Sequence, residues 1–126
     1  MEDVGGVLFD TNILIGIANG KESDLLKSIV PGVPCFVSVI SIMELFAFAG
    51  MSEEEEDGIA RILNFTHVIP VSAEIAMLGG RLARTRGKAK FDMLIAATAI
   101  YSKVPVITKN TKDFKNIPGL EVRSTL

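Results

Sequence analysis

The sequence predicts an α/β protein with a mainly parallel sheet, and three observations carry that reading. Short continuous apolar stretches, Val4 to Phe9 and Pro34 to Val37 among them, have the pattern of strands buried on both faces. Helical stretches alternate with them, as connections between parallel strands require. Acids and other polar residues follow the carboxyl ends of predicted strands, where sites form in such sheets.

Val4 to Phe9 reads as the first strand. A polar turn follows, then a helix from Ile13 to Ala18 that stops at Asn19-Gly20. Glu22 to Val30 is a second amphipathic segment, ended by Pro31-Gly32. Pro34 to Val37 reads as a strand, and Ser38 to Ala49 as a helix ended by Gly50. Ser52-Glu53-Glu54-Glu55 has the form of a capping box, with Ser52 as N-cap and Glu55 at the third helical position. The helix it opens is expected to run to Phe65. Val68-Ile69 reads as a brief strand, and Ser72 caps a helix from Ala73 to Thr85. After a basic loop, a helix spans Phe91 to Ser102, Pro105 to Thr108 forms a strand, and Glu121 to Arg123 a final edge strand. No repeat, low-complexity tract or linker interrupts the chain, so residues 1–126 are expected to form a single domain.

With 126 residues, 48% of them hydrophobic, the chain can bury a substantial core, which excludes a disordered class. Thirteen Lys and Arg against 15 Asp and Glu give a net charge of −2. That balance argues against a generally basic nucleic-acid binder but allows a local basic patch. The single cysteine, Cys35, forms no intrachain disulfide and is expected to pack within its apolar run. The N-terminus lacks the charged and long apolar regions of a signal peptide, and no apolar run is long enough to span a bilayer. A soluble, cytoplasmic protein with no membrane partner is therefore expected. No Trp and one Tyr imply an aliphatic core, or apolar surface that a partner covers.

Four carboxylates, Asp10, Glu44, Asp92 and Asp113, are far apart in sequence, yet each lies within or beside an apolar segment or a short turn after one. Burying such an acid is costly unless it is paired, hydrogen-bonded or bound to metal. Each also has an ordinary structural reading. Asp10 can cap the next helix or form an Asx-turn. Ser41-Ile42-Met43-Glu44 fits a second capping box. Asp92 suits an N-cap or first helical turn, and Asp113 lies in a turn rich in Lys and Asn. The joint pattern is more specific than any member. Acids from separate segments converge when strands and helices pack, and oxygen ligands without a matching Cys or His set point to a hard cation, Mg²⁺ or Mn²⁺. The lone His67 lies far from these segments and reads as structural or exposed; one His with one Cys supports neither a zinc set nor a catalytic triad.

Four segments carry a resemblance to a known family: Leu8-Phe9-Asp10-Thr11-Asn12-Ile13-Leu14-Ile15, Ser38-Val39-Ile40-Ser41-Ile42-Met43-Glu44-Leu45, Phe91-Asp92-Met93-Leu94-Ile95-Ala96-Ala97-Thr98-Ala99, and Val106-Ile107-Thr108-Lys109-Asn110-Thr111-Lys112-Asp113-Phe114. In order and spacing they resemble the motifs of the PIN-domain nucleases, particularly the VapC-type toxins of prokaryotic toxin–antitoxin pairs, over nearly the whole chain. The resemblance implies a three-layer α/β/α sandwich around a central, mainly parallel sheet of four to five strands. It implies a metal-dependent endoribonuclease in which Asp10, Glu44 and Asp92 bind the metal. The fourth position falls on Asn110 or on Asp113, and Asn110 offers only a neutral carbonyl. The resemblance also implies a homodimer neutralised by a cognate antitoxin near the active site, with Ile42 to Phe48 and the first helices as candidate contacts.

The chemistry fits those residue types. Hydrolysis of a phosphodiester brings water against an anionic centre, and a carboxylate-held divalent cation lowers the pKa of water and neutralises the developing charge. Thr11, Asn12 and Thr108 can orient the ligands. Arg81, Arg84, Arg86, Lys88 and Lys90 lead into Asp92; they suit a solvated helix end, and equally the attraction of RNA phosphates. Gly79-Gly80 lies inside a predicted helix and suits close packing or a dimer contact, while Gly5-Gly6 matches no nucleotide-binding motif. Two alternatives stand beside the ribonuclease: a catalytically weak PIN-like module that holds RNA or metal without cleaving, and a phosphatase or other small-molecule hydrolase using the same acids.

Overall fold

Val7, Leu8 and Phe9 form the central strand of the protein and are buried on both of its faces. The structure, a computed structural model, describes residues 5–18, 32–48, 50–87 and 90–124. Five strands form one sheet: β1 (Val7–Phe9), β2 (Cys35–Ser38), β3 (His67–Ile69), β4 (Val106–Ile107) and β5 (Val122–Arg123). Their order is β3-β2-β1-β4-β5, and every pairing is parallel. The chain lays β2 and β3 on one side of β1, then crosses over to place β4 and β5 on the other. The carboxyl ends of β1 and β4 therefore flank a topological switch point, where such sheets open a crevice. Asp10 follows β1 there and Thr108 follows β4. The Asp10 amide still donates to the Ile107 carbonyl at 3.0 Å, so the ladder itself fixes the backbone of this acid.

Helices cover both faces because strand side chains alternate. Val7, Phe9, Cys35, Val37 and Ile107 point to one side. There they pack on α1 (Thr11–Ala18), α2 (Val39–Phe46) and α3 (Glu53–Leu63) through Ile13, Leu14, Leu45 and Ile59. Leu8 and Val106 point to the other side, with Phe36 partly buried beside them. They meet Met93, Ala96 and Phe114 of α5 (Lys90–Ser102) and α6 (Thr111–Phe114), with Leu82 of α4 (Ala73–Arg86) packed alongside. Each fully buried aliphatic side chain contributes roughly 1.5–3 kcal/mol, so both faces of β1 bind the layers together. The expected α/β/α sandwich is present, with a five-stranded, wholly parallel sheet.

Local differences from the sequence reading have physical causes. α1 starts at Thr11 rather than Ile13, because the Asp10 carboxylate accepts the Thr11 amide at 2.8 Å and the Asp10 carbonyl accepts that of Ile13 at 3.1 Å. The capping box that Ser41–Glu44 also fits does not form. Ser38 is the N-cap of α2, its hydroxyl accepting from the Ile40 amide at 3.0 Å, and Ser41 is buried within the helix. The Ser52 box does form: the Glu55 carboxylate accepts from the Ser52 amide at 2.9 Å, and Ser52 accepts from the Glu55 amide at 3.1 Å. α6 was not expected; buried Phe114 anchors this single turn. A Cβ on Gly79 would stand 2.9 Å from Leu94 Cδ2, so this glycine lets α4 approach α5 within the chain. Gly6 has φ +96°, and a Cβ there would lie 2.3 Å from the Pro34 carbonyl oxygen beside β2. Val4, the Asn19-Gly20 stop, the Glu22 to Val30 segment, Pro31, Ala49 and Lys88 lie outside the described residues. No helix among the described residues is long and apolar enough to cross a membrane.

Candidate active site

Asp10 is only 4% exposed, and both its carboxylate oxygens are engaged. Oδ1 accepts the Thr11 amide, and Oδ2 accepts the Thr108 hydroxyl at 2.9 Å. Burial raises its pKa above the ordinary carboxylate value; the bonds from Thr108 and Thr11 oppose that rise, while the charges of Glu44 and Asp113 add to it. Thr108 is itself aimed by the Asn110 amide, which donates to its hydroxyl oxygen at 2.9 Å. The two strand ends at the switch point are thus tied together through one acid.

Glu44 comes from α2. Thr11 Oγ1 lies 2.6 Å from Glu44 Oε1 and 2.8 Å from Ser41 Oγ. A hydroxyl has one proton, and a carboxylate can only accept, so Thr11 donates to Glu44 and leaves Ser41 to donate to Thr11. Ser41 and Thr11 are both buried, which makes this chain a fixed strut from α1 to the acid. In sequence Ser41 also fits a capping pattern; a polar residue one helical turn before an acid, on an otherwise apolar segment, is the signal of its role here.

Asp92 is the third residue of α5, past any N-cap position, and is half-buried. Among the described residues it accepts no hydrogen bond. Burial first, then the charges of Asp10, Glu44 and Asp113, push its pKa from 3.8 up to about 6. Asp113, in α6, accepts a short hydrogen bond from the Asn110 side-chain amide. That bond turns the Asn110 nitrogen toward the acid, and it is the Asp113 charge that reaches Asp10 and Asp92. Asp10 from the β1–α1 junction, Glu44 from α2 and Asp92 from α5 therefore line one cavity, and the charge of Asp113 in α6 reaches it.

Asp10, Thr11, Asn12, Glu44 and Asp92 line one cavity of about 370 Å³, and among the described residues its lining contains no Lys or Arg. The donor set is all oxygen, which suits a hard divalent cation. Cys35 is buried in β2, and His67 sits exposed on edge strand β3 against the Phe36 ring, 5.5 Å between centroids. As the side chains are placed, no three of the His, Cys, Asp and Glu residues described are close-set enough to hold one ion. Each carboxylate except Asp92 is turned by its own hydrogen bond. The donor chemistry fits a hard cation, whereas the side chains as they stand do not close around one.

The basic cluster divides. Arg84 and Lys90 line a separate cavity between α4 and α5, Arg86 Nη2 reaches the Lys115 carbonyl at 3.4 Å, and Arg81 is exposed.

Fold and site together define an α/β domain with a carboxylate cluster at its switch point, suited to a hard cation. Residues 7–120 match the sequence profile of the PIN domain, and the chain belongs to that family. It is 31% identical to Ribonuclease VapC of Rickettsia bellii (strain RML369-C) over 128 residues, covering 93% of this chain and 94% of that protein. It is 32% identical to Ribonuclease VapC19 of Mycobacterium tuberculosis (strain CDC 1551 / Oshkosh) over 122 residues, covering 90% and 96%. A chain of the toxin-antitoxin complex from Klebsiella pneumoniae superposes with a TM-score of 0.78 at 31% identity, covering 96% of this chain and all of that one (100%).

Proposed function

We propose that the chain is a divalent-metal-dependent endoribonuclease that hydrolyses RNA phosphodiester bonds, and the toxin of a VapBC-type toxin–antitoxin pair. The observation that carries this reading is the convergence of Asp10, Glu44, Asp92 and Asp113 at the switch point of a fold shared with VapC ribonucleases. Asp10, Glu44 and Asp92 would hold Mg²⁺ or Mn²⁺, with Asp113 as the fourth acid and Asn110 orienting it. When bound, the cation supplies a water of lowered pKa and neutralises charge that builds on the phosphate.

The chain's own residues do the positioning. Thr108 and the Thr11 amide hold the two oxygens of Asp10, and the Thr11 hydroxyl holds Glu44. Asn12, exposed on the cavity wall, is placed to hydrogen-bond an incoming phosphate. Arg81, Arg84, Arg86, Lys88 and Lys90 draw the RNA backbone toward Asp92. The antitoxin is a protein partner, as in the Klebsiella complex. A groove of about 480 Å³, whose lining joins Ile15, Leu45, Phe48 and Ile59 to the charged Glu54, Glu55 and Arg61, adjoins the acid cavity and supports this partner. A homodimer in the cytoplasm completes the expectation.

The test is RNA cleavage in Mg²⁺ or Mn²⁺, with and without EDTA. Cleavage that stops on chelation supports the reading; persistent cleavage in EDTA removes the metal from it. The spacing of the acids favours one rival, a module that holds RNA without cutting it. RNA binding with no cleavage in either metal would select that rival.

A further inference from the structure

Two large aromatic side chains stand exposed on the wall of the acid cavity. Phe91 is 47% exposed and Phe48 is 51% exposed, and both line that cavity with Asp10, Glu44 and Asp92. Phe91 directly precedes Asp92 on α5; Phe48 lies just beyond α2, the helix that carries Glu44. α2 and α5 touch, although they belong to opposite layers. The rings therefore come from the two helices that supply Glu44 and Asp92. α5 buries Met93, Ile95, Ala96, Ala97 and Ala99 in the core, yet leaves the large ring of its first turn outside.

We propose that Phe91 is a base-stacking residue that positions the RNA strand over the acids, with Phe48 as the second wall. The proposal rests on the ribonuclease reading. Phe91 and Asp92 line the acid cavity together, while Lys90 lines the separate cavity between α4 and α5. A nucleotide strand meets both ring and acids: a base on the ring and the adjoining phosphate at the acid site. An apolar peptide meets only the ring. The groove beside the cavity is lined by Phe48 but not by Phe91, which separates Phe91 from the surface suited to a protein partner. A base on Phe91 must be free of its own stack, so the ring also selects unpaired nucleotides over duplex.

Kinetics on a single-stranded RNA test this. Phe91→Ala should raise KM roughly 5- to 100-fold, the worth of one stacked base, and leave kcat little changed. Phe91→Tyr should restore KM, whereas Phe91→Leu, equally apolar but without a π-face, should not. The chain contains no Trp, so Phe91→Trp installs a single tryptophan at the site, excited selectively over the one Tyr. In EDTA, its emission should be quenched by the RNA and not by an abasic strand of the same length. Wild-type KM in Phe91→Ala, or RNA binding to Phe91→Trp without quenching, overturns the stacking role while leaving the nuclease intact. A loss confined to antitoxin affinity also overturns it, by making Phe91 a protein contact. If EDTA releases the RNA, the kinetic series decides alone. Wild-type protein that neither binds nor cleaves RNA removes the ribonuclease reading itself.

Discussion

Replacing Asp92 by Asn should stabilise the fold while abolishing the activity. The side chain is half-buried, accepts no hydrogen bond among the described residues, and faces the charges of Asp10, Glu44 and Asp113. Its pKa is pushed from 3.8 to about 6, first by burial and then by those charges. A shift of about two units corresponds to roughly 3 kcal/mol. Solvent screening at a half-buried group reduces this to about 1–2 kcal/mol. The folded protein holds this proton more tightly than the unfolded chain does. Stability therefore falls as pH rises from about 4 to about 6, and the full cost of the charged carboxylate is present near pH 7. Asn keeps the shape and removes the charge. For a chain of this length the gain in Tm is about 3–8 °C near neutral pH. The assay is thermal unfolding in EDTA, followed by circular dichroism, as a function of pH. The gain should be full near pH 7 and vanish below about pH 4. Added Mn²⁺ should then raise the Tm of wild type more than that of the variant. A variant no more stable than wild type at neutral pH, or a gain that persists below pH 4, would refute the electrostatic account of this residue.

Thr11→Val removes the proton that Glu44 accepts and the partner of Ser41, so it should cost about 1–3 kcal/mol of stability. It should also slow RNA cleavage by about 10- to 100-fold, and wild-type rates would contradict the strut. Gly6→Ala forces a Cβ toward the Pro34 carbonyl at positive φ, and should lower the stability measured by urea unfolding by about 1–3 kcal/mol. Replacing Arg84 and Arg86 together by Ala should weaken RNA binding. It should also flatten the logarithmic salt dependence by roughly 1.4, two lost phosphate contacts on a single strand; an unchanged slope returns both arginines to a solvated helix end.

The sequence made the layers legible because the strands are continuous apolar runs and the helices carry clear caps. Ser52 and Ser72 sit where their helices begin, and the apolar run of β1 survives as a strand buried on both faces. The acid set was legible for a related reason: an Asp or Glu beside a buried segment has few inexpensive structural explanations. Other features depend on tertiary packing and leave little local trace. α6 is one turn in a polar stretch, and only the burial of Phe114 holds it. Ser41 satisfies a capping pattern locally, yet burial and the approach of Thr11 recruit it to hold an acid. The choice between Asn110 and Asp113 turns on which way an amide faces, and the hydrogen bond between the two aims the Asn110 nitrogen at the Asp113 carboxylate. The basic cluster is continuous in sequence, but in the fold Arg84 and Lys90 line one cavity while Arg86 reaches toward Lys115.

The most direct measurement compares wild type and Asp10→Asn on one single-stranded RNA in Mg²⁺ or Mn²⁺, with circular dichroism confirming that both are folded. Asp10 is the acid fixed by the sheet itself, through the Ile107 carbonyl and the Thr108 hydroxyl. The account predicts metal-dependent cleavage by wild type and none by the folded variant. Undiminished cleavage by Asp10→Asn would contradict it at its centre.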